Sequence, residues 1–298
     1  MLYGQMWQRR LAPILSRMKN TALLTALAMI AFAANSVLCR LALGDGHIDA
    51  ASFATVRVVS GALVLAMIVL YRENGRVERD ADWRAALALF VYMAFFSFAY
   101  LSLGAGTGAL ILFGAVQLTM FIVALRSGEP FSAASWAGLL VAIAGLVYLV
   151  SPGVTAPEPI GALLMTIAGI SWGVYSLLGR KAADPTRATA WNFLLSVPLV
   201  LVTSLIFVQQ IHATSFGIAL AVASGVVASG IGYVIWYAAL RGLAATSAAT
   251  VQLSVPVIAA IGGVMLLSED VTLRLLVASV ATLGGVAIVL SQRAARPN

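Results

Sequence analysis

Charge is scarce in this sequence: 10% of its 298 residues are Asp, Glu, Lys or Arg, while 61% are hydrophobic. A soluble domain carries about a quarter charged residues. A chain this poor in charge cannot cover itself with a polar surface, which excludes a globular fold in water. Carboxylates at depth are missing too. The eleven acids (Asp45, Asp49, Glu73, Glu78, Asp80, Asp82, Glu129, Glu158, Asp184, Glu269 and Asp270) all fall outside the long apolar runs. Membrane-embedded carboxylates are the usual proton carriers of coupled pumps, so a relay of that kind is not expected. Cysteine is reduced to Cys39, which rules out an internal disulfide. Histidine is reduced to His47 and His212, neither beside a group that would complete a metal site. No metal and no cofactor is expected. No phosphate-cradling glycine loop with a lysine occurs, and no acidic cluster or Ser/His constellation serves hydrolysis. The chain is expected not to be an enzyme. Its +7 charge does not point to nucleic acid, because the cations sit at the ends of apolar runs.

What is present is a series of those runs. Crossing hydrocarbon takes about 20 helical residues, and only helices or closed barrels satisfy their backbone there. The runs are continuous rather than alternating, so they read as helices. Ten occur, at roughly 21–43, 51–71, 84–103, 105–125, 131–150, 159–179, 187–207, 214–239, 244–266 and 271–291. The first is too long for a signal-peptide core. Residues 1–20 precede it with Trp7, Arg9, Arg10, Arg17 and Lys19, as an interfacial helix or a frayed tail. The connections are short and rich in turn residues, leaving no room for a soluble domain.

Lysine and arginine set the orientation. From the N-terminus, successive segments between the runs hold 4, 0, 4, 0, 1, 0, 3, 0, 1, 0 and 2 of them. The alternation never breaks. It predicts a multi-pass protein with both termini cytoplasmic, including a short tail at 292–298.

One word is spelled twice. NSVLCR at Asn35–Arg40 is echoed by YSLLGR at Tyr175–Arg180, 140 residues on. The same offset joins Phe32 to Trp172, Ala109 to Ala249, the turn at Gly128–Pro130 to Ser268–Asp270, and Gly145 to Gly285. A register kept across loops indicates duplication of 21–150 as 159–291. Each half holds five spans, an odd number, so the second copy enters the membrane from the other face. The expected fold is an all-α membrane protein of ten transmembrane helices in two inverted five-helix repeats. Secondary transporters use this architecture, with a site near the midplane between the halves.

The layout, together with AATVQLSVPVIAAIGGVMLLSED (Ala248–Asp270) and the following LGGVAIVL, resembles the EamA-type branch of the drug/metabolite transporter superfamily. GAGTGALILFGAVQLTM (Gly104–Met120) and AGISWGVYSLLGR (Ala168–Arg180) look more particularly like its aromatic and neutral amino-acid exporters, the YddG type. The resemblance implies a bacterial inner-membrane exporter of small molecules by alternating access. A multidrug or other metabolite exporter of the same fold is the alternative. Val116 departs from the pattern where Pro256 stands in the second half, so the fourth and ninth spans are not expected to bend alike.

Candidate site residues follow from depth. Trp7, Trp83, Trp136, Trp191 and Trp236 lie at span ends and read as an interfacial belt. Trp172 alone lies well inside. Tyr92 and Gln117 are near mid-span, with Asn35, Tyr100, Tyr175 and Gln252 within a few turns. An apolar platform with scattered amides and hydroxyls suits small zwitterions with neutral or aromatic side chains. The same groups also serve simply to tie helices together. Arg40, Arg57 and Arg274 fall in or near spans. Snorkelling or pairing with Asp45, Asp49, Glu269 or Asp270 accounts for them, and the sharper reading has Arg57 attract a substrate carboxylate. Glu129 and Glu269 read as capping or pairing loop acids. Gly169 and Gly173 form a close-approach face, while Gly225, Gly230, Gly232, Pro198 and Pro256 are candidate bending points. The expected partners are a small-molecule substrate and the lipid bilayer; oligomeric state stays open.

Overall fold

A computed structural model describes residues 2–75, 78–128, 131–180, 182–243 and 245–294, with side chains from residue 20 onward except 245, 246, 293 and 294. Expectations resting on Arg76, Glu129, Pro130, Lys181 and Arg296, and on the side chains of Trp7, Arg9, Arg10, Arg17, Lys19 and Arg293, lie outside the described residues.

Polar caps mark where the helices start. Asp49 accepts a hydrogen bond from the Ser52 amide at 2.9 Å and opens α2 (Ala50–Arg72). Ser132 opens α5 (Ala133–Val150) in the same way. Glu158 and Asp184 each precede a proline, opening α6 (Pro159–Gly179) and α7 (Pro185–Ile206). Proline suits the first helical position because its missing N–H would lack a partner there anyway. Thr214 opens α8 (Ser215–Ala223). The other helices are α1 (Leu2–Gly44), α3 (Trp83–Ala99), α4 (Ala105–Arg126), α9 (Gly232–Leu240), α10 (Ala245–Val251), α11 (Ser254–Leu267) and α12 (Leu273–Ala294). Among the described residues there is no strand; Ile48 and Ala213 form an isolated antiparallel bridge.

Nine helical stretches among the described residues are long and apolar enough to cross a membrane. The third expected span, 84–103, is the exception. Its helix ends at Ala99 after 17 residues, and a turn carries Tyr100 to Leu103. α1 continues the first span back to Leu2, so residues 2–20 are neither a separate helix nor a tail.

Two spans are interrupted. Between α8 and α9 the chain widens into a π-helix over Ser224–Ile231, where the sequence places Gly225 and Gly230. The ninth span breaks at Gln252–Leu253, between α10 and α11. Pro256 has no N–H to offer the Gln252 carbonyl, which accepts from Val255 at 3.1 Å instead. α4, with Val116 in place of proline, runs unbroken, and Pro198 sits inside an unbroken α7.

Glycines let the helices approach closely. A Cβ on Gly169 would lie 2.5 Å from the Leu112 carbonyl, so α6 sits directly against α4. α5 and α12 run antiparallel: Gly138 faces Gly285 and Ile288, whereas Gly145 faces Ala281 and Thr282. α3 packs on α6, and α1 on α8, α9 and α11; α2 packs on α7 and on the π-helix, and α4 on α11.

Candidate functional site

The bundle encloses a chamber of about 720 Å³. Its walls come from the second halves of α4, α6 and α12, the middle of α5 and α10 and most of α9, and Ser127, Arg180 and Leu243 carry it to loop level. It therefore reaches the end of the bundle where α12 finishes. Of the residues singled out from the sequence, Gln117, Trp172, Tyr175 and Gln252 line it. No carboxylate does so among the described residues.

Aromatic rings make the inner end. Trp172 lies 5.4 Å from Tyr175, 5.3 Å from Tyr233 and 4.8 Å from Tyr92, between ring centroids. Phe32 contacts Trp172, Tyr233 and Trp236 edge-on at 6.5, 5.8 and 5.9 Å. Trp236 is thus buried in the chamber wall rather than at a lipid interface. Tyr233 and Tyr237 were not singled out from the sequence, and Trp236 was read as a belt residue. Their i, i+3, i+4 spacing on one face of α9 is the signal that could have found them. Trp83 and Trp136 are exposed, as belt residues would be. Trp191 instead donates from Nε1 to the Glu78 carbonyl at 3.0 Å.

Polar contacts in the chamber are few. Tyr175 donates to the Thr189 hydroxyl at 3.2 Å, and Thr189 and Tyr237 share a hydrogen bond of 3.0 Å. Gln252 donates to the Ala248 carbonyl at 3.2 Å. The Gln117 amide makes no such bond among the described residues, leaving it open to a ligand.

Beyond Trp172 and Tyr233 lies a second cavity of about 20 Å³, lined by Asn35 and Tyr92 among others. Arg57 is fully buried behind it, and Tyr100 lines neither cavity. Arg57 neither snorkels nor meets an acid among the described residues, contrary to the simpler expectation. Its depth on α2, two turns past the Asp49 cap, points the side chain inward at α3 and the π-helix.

The opposite end is sealed. Arg40 pairs with Glu269 at 3.4 Å and donates to the carbonyls of Tyr100 and Leu101, both at 3.2 Å. The Glu269 carboxylate accepts from the Ala105 amide at 3.0 and 2.8 Å, capping α4 in a notch left by Gly104 and Gly263. Arg274 donates to the carbonyls of Leu149 and Ser151. Glu158 accepts from Ser102 at 3.2 Å, and the Gly161 and Ile160 amides hold its carboxyl below the usual carboxylate range. Burial alone would raise the Asp49 carboxyl, but hydrogen bonds from Ser52 and His212 hold it below that range as well.

At the chamber end, Arg72 bridges Glu73 and Asp184, and Arg187 pairs with Glu73, Glu78 and Asp80 at 3.5, 3.3 and 3.7 Å. These contacts tie the α2–α3 connection to the start of α7.

Apolar helices around a one-ended chamber make a multi-pass membrane protein of the transporter class. The chain belongs to the EamA-like transporter family, whose profile matches residues 19–151 and again 159–291. An uncharacterized protein of Pseudomonas aeruginosa is 49% identical over 278 residues, covering 93% of this chain and 97% of that one. An uncharacterized transporter of Archaeoglobus fulgidus is 26% identical over 282 residues, 90% of this chain and 96% of that one. The uncharacterized transporter YoaV of Bacillus subtilis is 21% identical over 247 residues, 78% of this chain and 85% of that one. A solved crystal structure matches with a TM-score of 0.64 at 22% identity, covering 92% of this chain and 99% of that one, which shows a shared fold.

Proposed function

We propose that the protein exports small metabolites, aromatic and neutral amino acids above all, from the bacterial cytoplasm across the inner membrane by alternating access. The observation that carries this reading is the chamber: one-ended, about 720 Å³, floored by aromatic rings and free of carboxylates among the described residues. Small-molecule sites run to about 300–1,000 Å³ with apolar walls and few polar groups. Gln117, Trp172, Tyr175 and Gln252 supply that mixture here. Asn35 and Tyr92 stand behind its inner end, in the smaller cavity.

The mechanism rests on reading ten spans in two inverted repeats, with α3 counted as a short tenth. Contacts recur at the 140-residue offset: the Thr282 hydroxyl approaches the Ala142 carbonyl at 3.5 Å, and Phe32 meets Trp172. Equivalent helices α5 and α12 cross antiparallel, as a two-fold axis in the membrane plane requires. α3 on α6 corresponds to the α8–α9 rod on α1, and α4 on α6 to α11 on α1. The domains are then 21–150 and 159–291, flanked by cytoplasmic termini at 1–20 and 292–298. With lysine and arginine on the cytoplasmic side, the chamber faces inward and the Arg40–Glu269 cluster closes the outside.

The test is uptake by purified protein in liposomes without an ion gradient, offered phenylalanine, tryptophan, methionine, threonine, a drug cation and a sugar phosphate. Saturable movement of the aromatic amino acids is expected. Movement of the drug cation alone would favour the multidrug alternative, and an absolute need for a pH gradient would overturn uncoupled export. A tag at the C-terminus should be reachable only from the cytoplasm, and one near residue 155 only from outside.

A further inference from the structure

At the blind end of the chamber sits a charge without a counter-charge. Arg57 is 0% exposed, and a guanidinium keeps its proton in a protein. Its Nη2 donates to the Tyr92 hydroxyl at 3.1 Å and its Nε to the Ser229 hydroxyl at 3.2 Å. The rings of Phe96 and Tyr92 lie 4.9 and 5.3 Å from its centre. Its Nη1 has no hydrogen-bond partner, and no acid pairs with it among the described residues. A cation kept in this state inside a membrane bundle marks function.

The Tyr92 hydroxyl supplies a second, independent observation. Asn35 also donates to it, from Nδ2 at 3.3 Å, with the amide oriented by the Ser224 hydroxyl donating to Oδ1 at 2.6 Å. Arg57 and the Asn35 amide nitrogen can only donate, so the phenolic oxygen accepts from both. Its own proton has no acceptor among the described residues. Two donors, one of them charged, polarise that O–H into a stronger donor. Tyr92 and Asn35 face the cavity of about 20 Å³, room for about one water molecule. Trp172 and Tyr233 line both this cavity and the chamber, so their rings form the partition.

We infer that this is a carboxylate subsite. When Trp172 and Tyr233 part, a substrate carboxylate accepts the Tyr92 O–H and lies in the field of Arg57. Tyr92 is the binding residue, and Arg57 is a positioning residue that acts through it. One unpaired cation neutralises one negative charge, which selects monocarboxylates with an apolar body over phosphate dianions and over cations. The inference rests on the export reading and sharpens it: the carboxylate is recognised, and the amine is not required.

The test is calorimetric titration of the purified full-length protein, at neutral pH, with phenylpropionate and its neutral amide. Wild type should prefer the carboxylate by about tenfold or more, the worth of a charge-assisted hydrogen bond. Tyr92→Phe and Arg57→Gln should bring the preference within about twofold, with the carboxylate losing several-fold more affinity than the amide. A merely structural role would weaken both ligands together. Should Arg57→Gln fail to fold, Tyr92→Phe keeps both ring contacts of Arg57 and carries the test. A wild type with no preference, or Tyr92→Phe with its preference intact, overturns the subsite. Preference for the carboxylate without amino-acid movement in liposomes sinks the export reading but supports the subsite. Amino-acid export with the preference unchanged in Tyr92→Phe does the reverse.

Discussion

Trp172 is the residue on which the chamber turns. It touches Phe32, Tyr92, Tyr175 and Tyr233 and forms part of both cavities. Removing its ring removes stacking worth about 0.5–1.5 kcal/mol per aromatic pair beyond area. Trp172→Leu should therefore raise the apparent KM for phenylalanine in liposomes several-fold, while that for threonine changes less. Asp184 tests a surface contribution. Burial alone would raise its carboxyl, yet the Arg187 amide, the Arg72 guanidinium and the Thr186 amide hold it below the usual range. A lowered carboxylate contributes stability above its unfolded value, about 3.9, and loses it as pH falls through the folded one. Asp184→Ala should cost about 1 kcal/mol in thermal unfolding at neutral pH. The gap from wild type should close only in acid, and a gap that widened there would contradict the sign. Trp172 was legible because depth in an apolar run can be counted. The orphaned charge of Arg57 was not, because nothing in the letters says which neighbours α3 and the π-helix present.

At the scale of elements, glycine and proline decide contact and continuity. Gly169→Ala would drive a methyl against the Leu112 carbonyl and the Ala115 side chain, and α6 would have to move off α4. Overpacking of this kind costs about 1–3 kcal/mol, which a thermal-shift assay of purified protein should register. Pro256→Ala should let the ninth span close its missing hydrogen bond. The expected result is equal or higher thermal stability with slower transport, if the break at Gln252–Leu253 serves as a hinge. Element starts were written in the sequence as Asp49, Ser132, Glu158–Pro159, Asp184–Pro185 and Thr214. The early end of α3 at Ala99 was not. Its apolar run continues through Leu103, and the Tyr100 hydroxyl, donating to the Ala105 carbonyl at 3.3 Å, belongs to a turn that periodicity does not signal.

For the whole molecule, the proposed alternating access makes one carboxylate a candidate for holding the end opposite the chamber closed. Glu269 joins Arg40 on α1 to the start of α4 from the loop between α11 and α12. Glu269→Gln keeps the shape and removes the charge, at a cost to the closed state of about 1–2 kcal/mol, a factor of about 5–30 in population. In a background with Cys39→Ala, a cysteine placed at Leu103 should label faster with an impermeant maleimide from the sealed side when Glu269→Gln is added. Unchanged labelling would remove this contact from the gate.

Hydropathy required a helical bundle in lipid, because only helices or closed barrels satisfy their backbone there and the apolar runs are continuous rather than alternating. The 140-residue echo, the polar caps and the depth of Trp172 could likewise be read along the chain, since each is a matter of spacing. Which end of the chamber is closed, and that Arg57 lies buried without an acid beside Tyr92, emerged only from packing. Such facts depend on how helices distant in sequence rotate against one another, and apolar runs of nearly uniform composition carry too little pattern to specify that rotation.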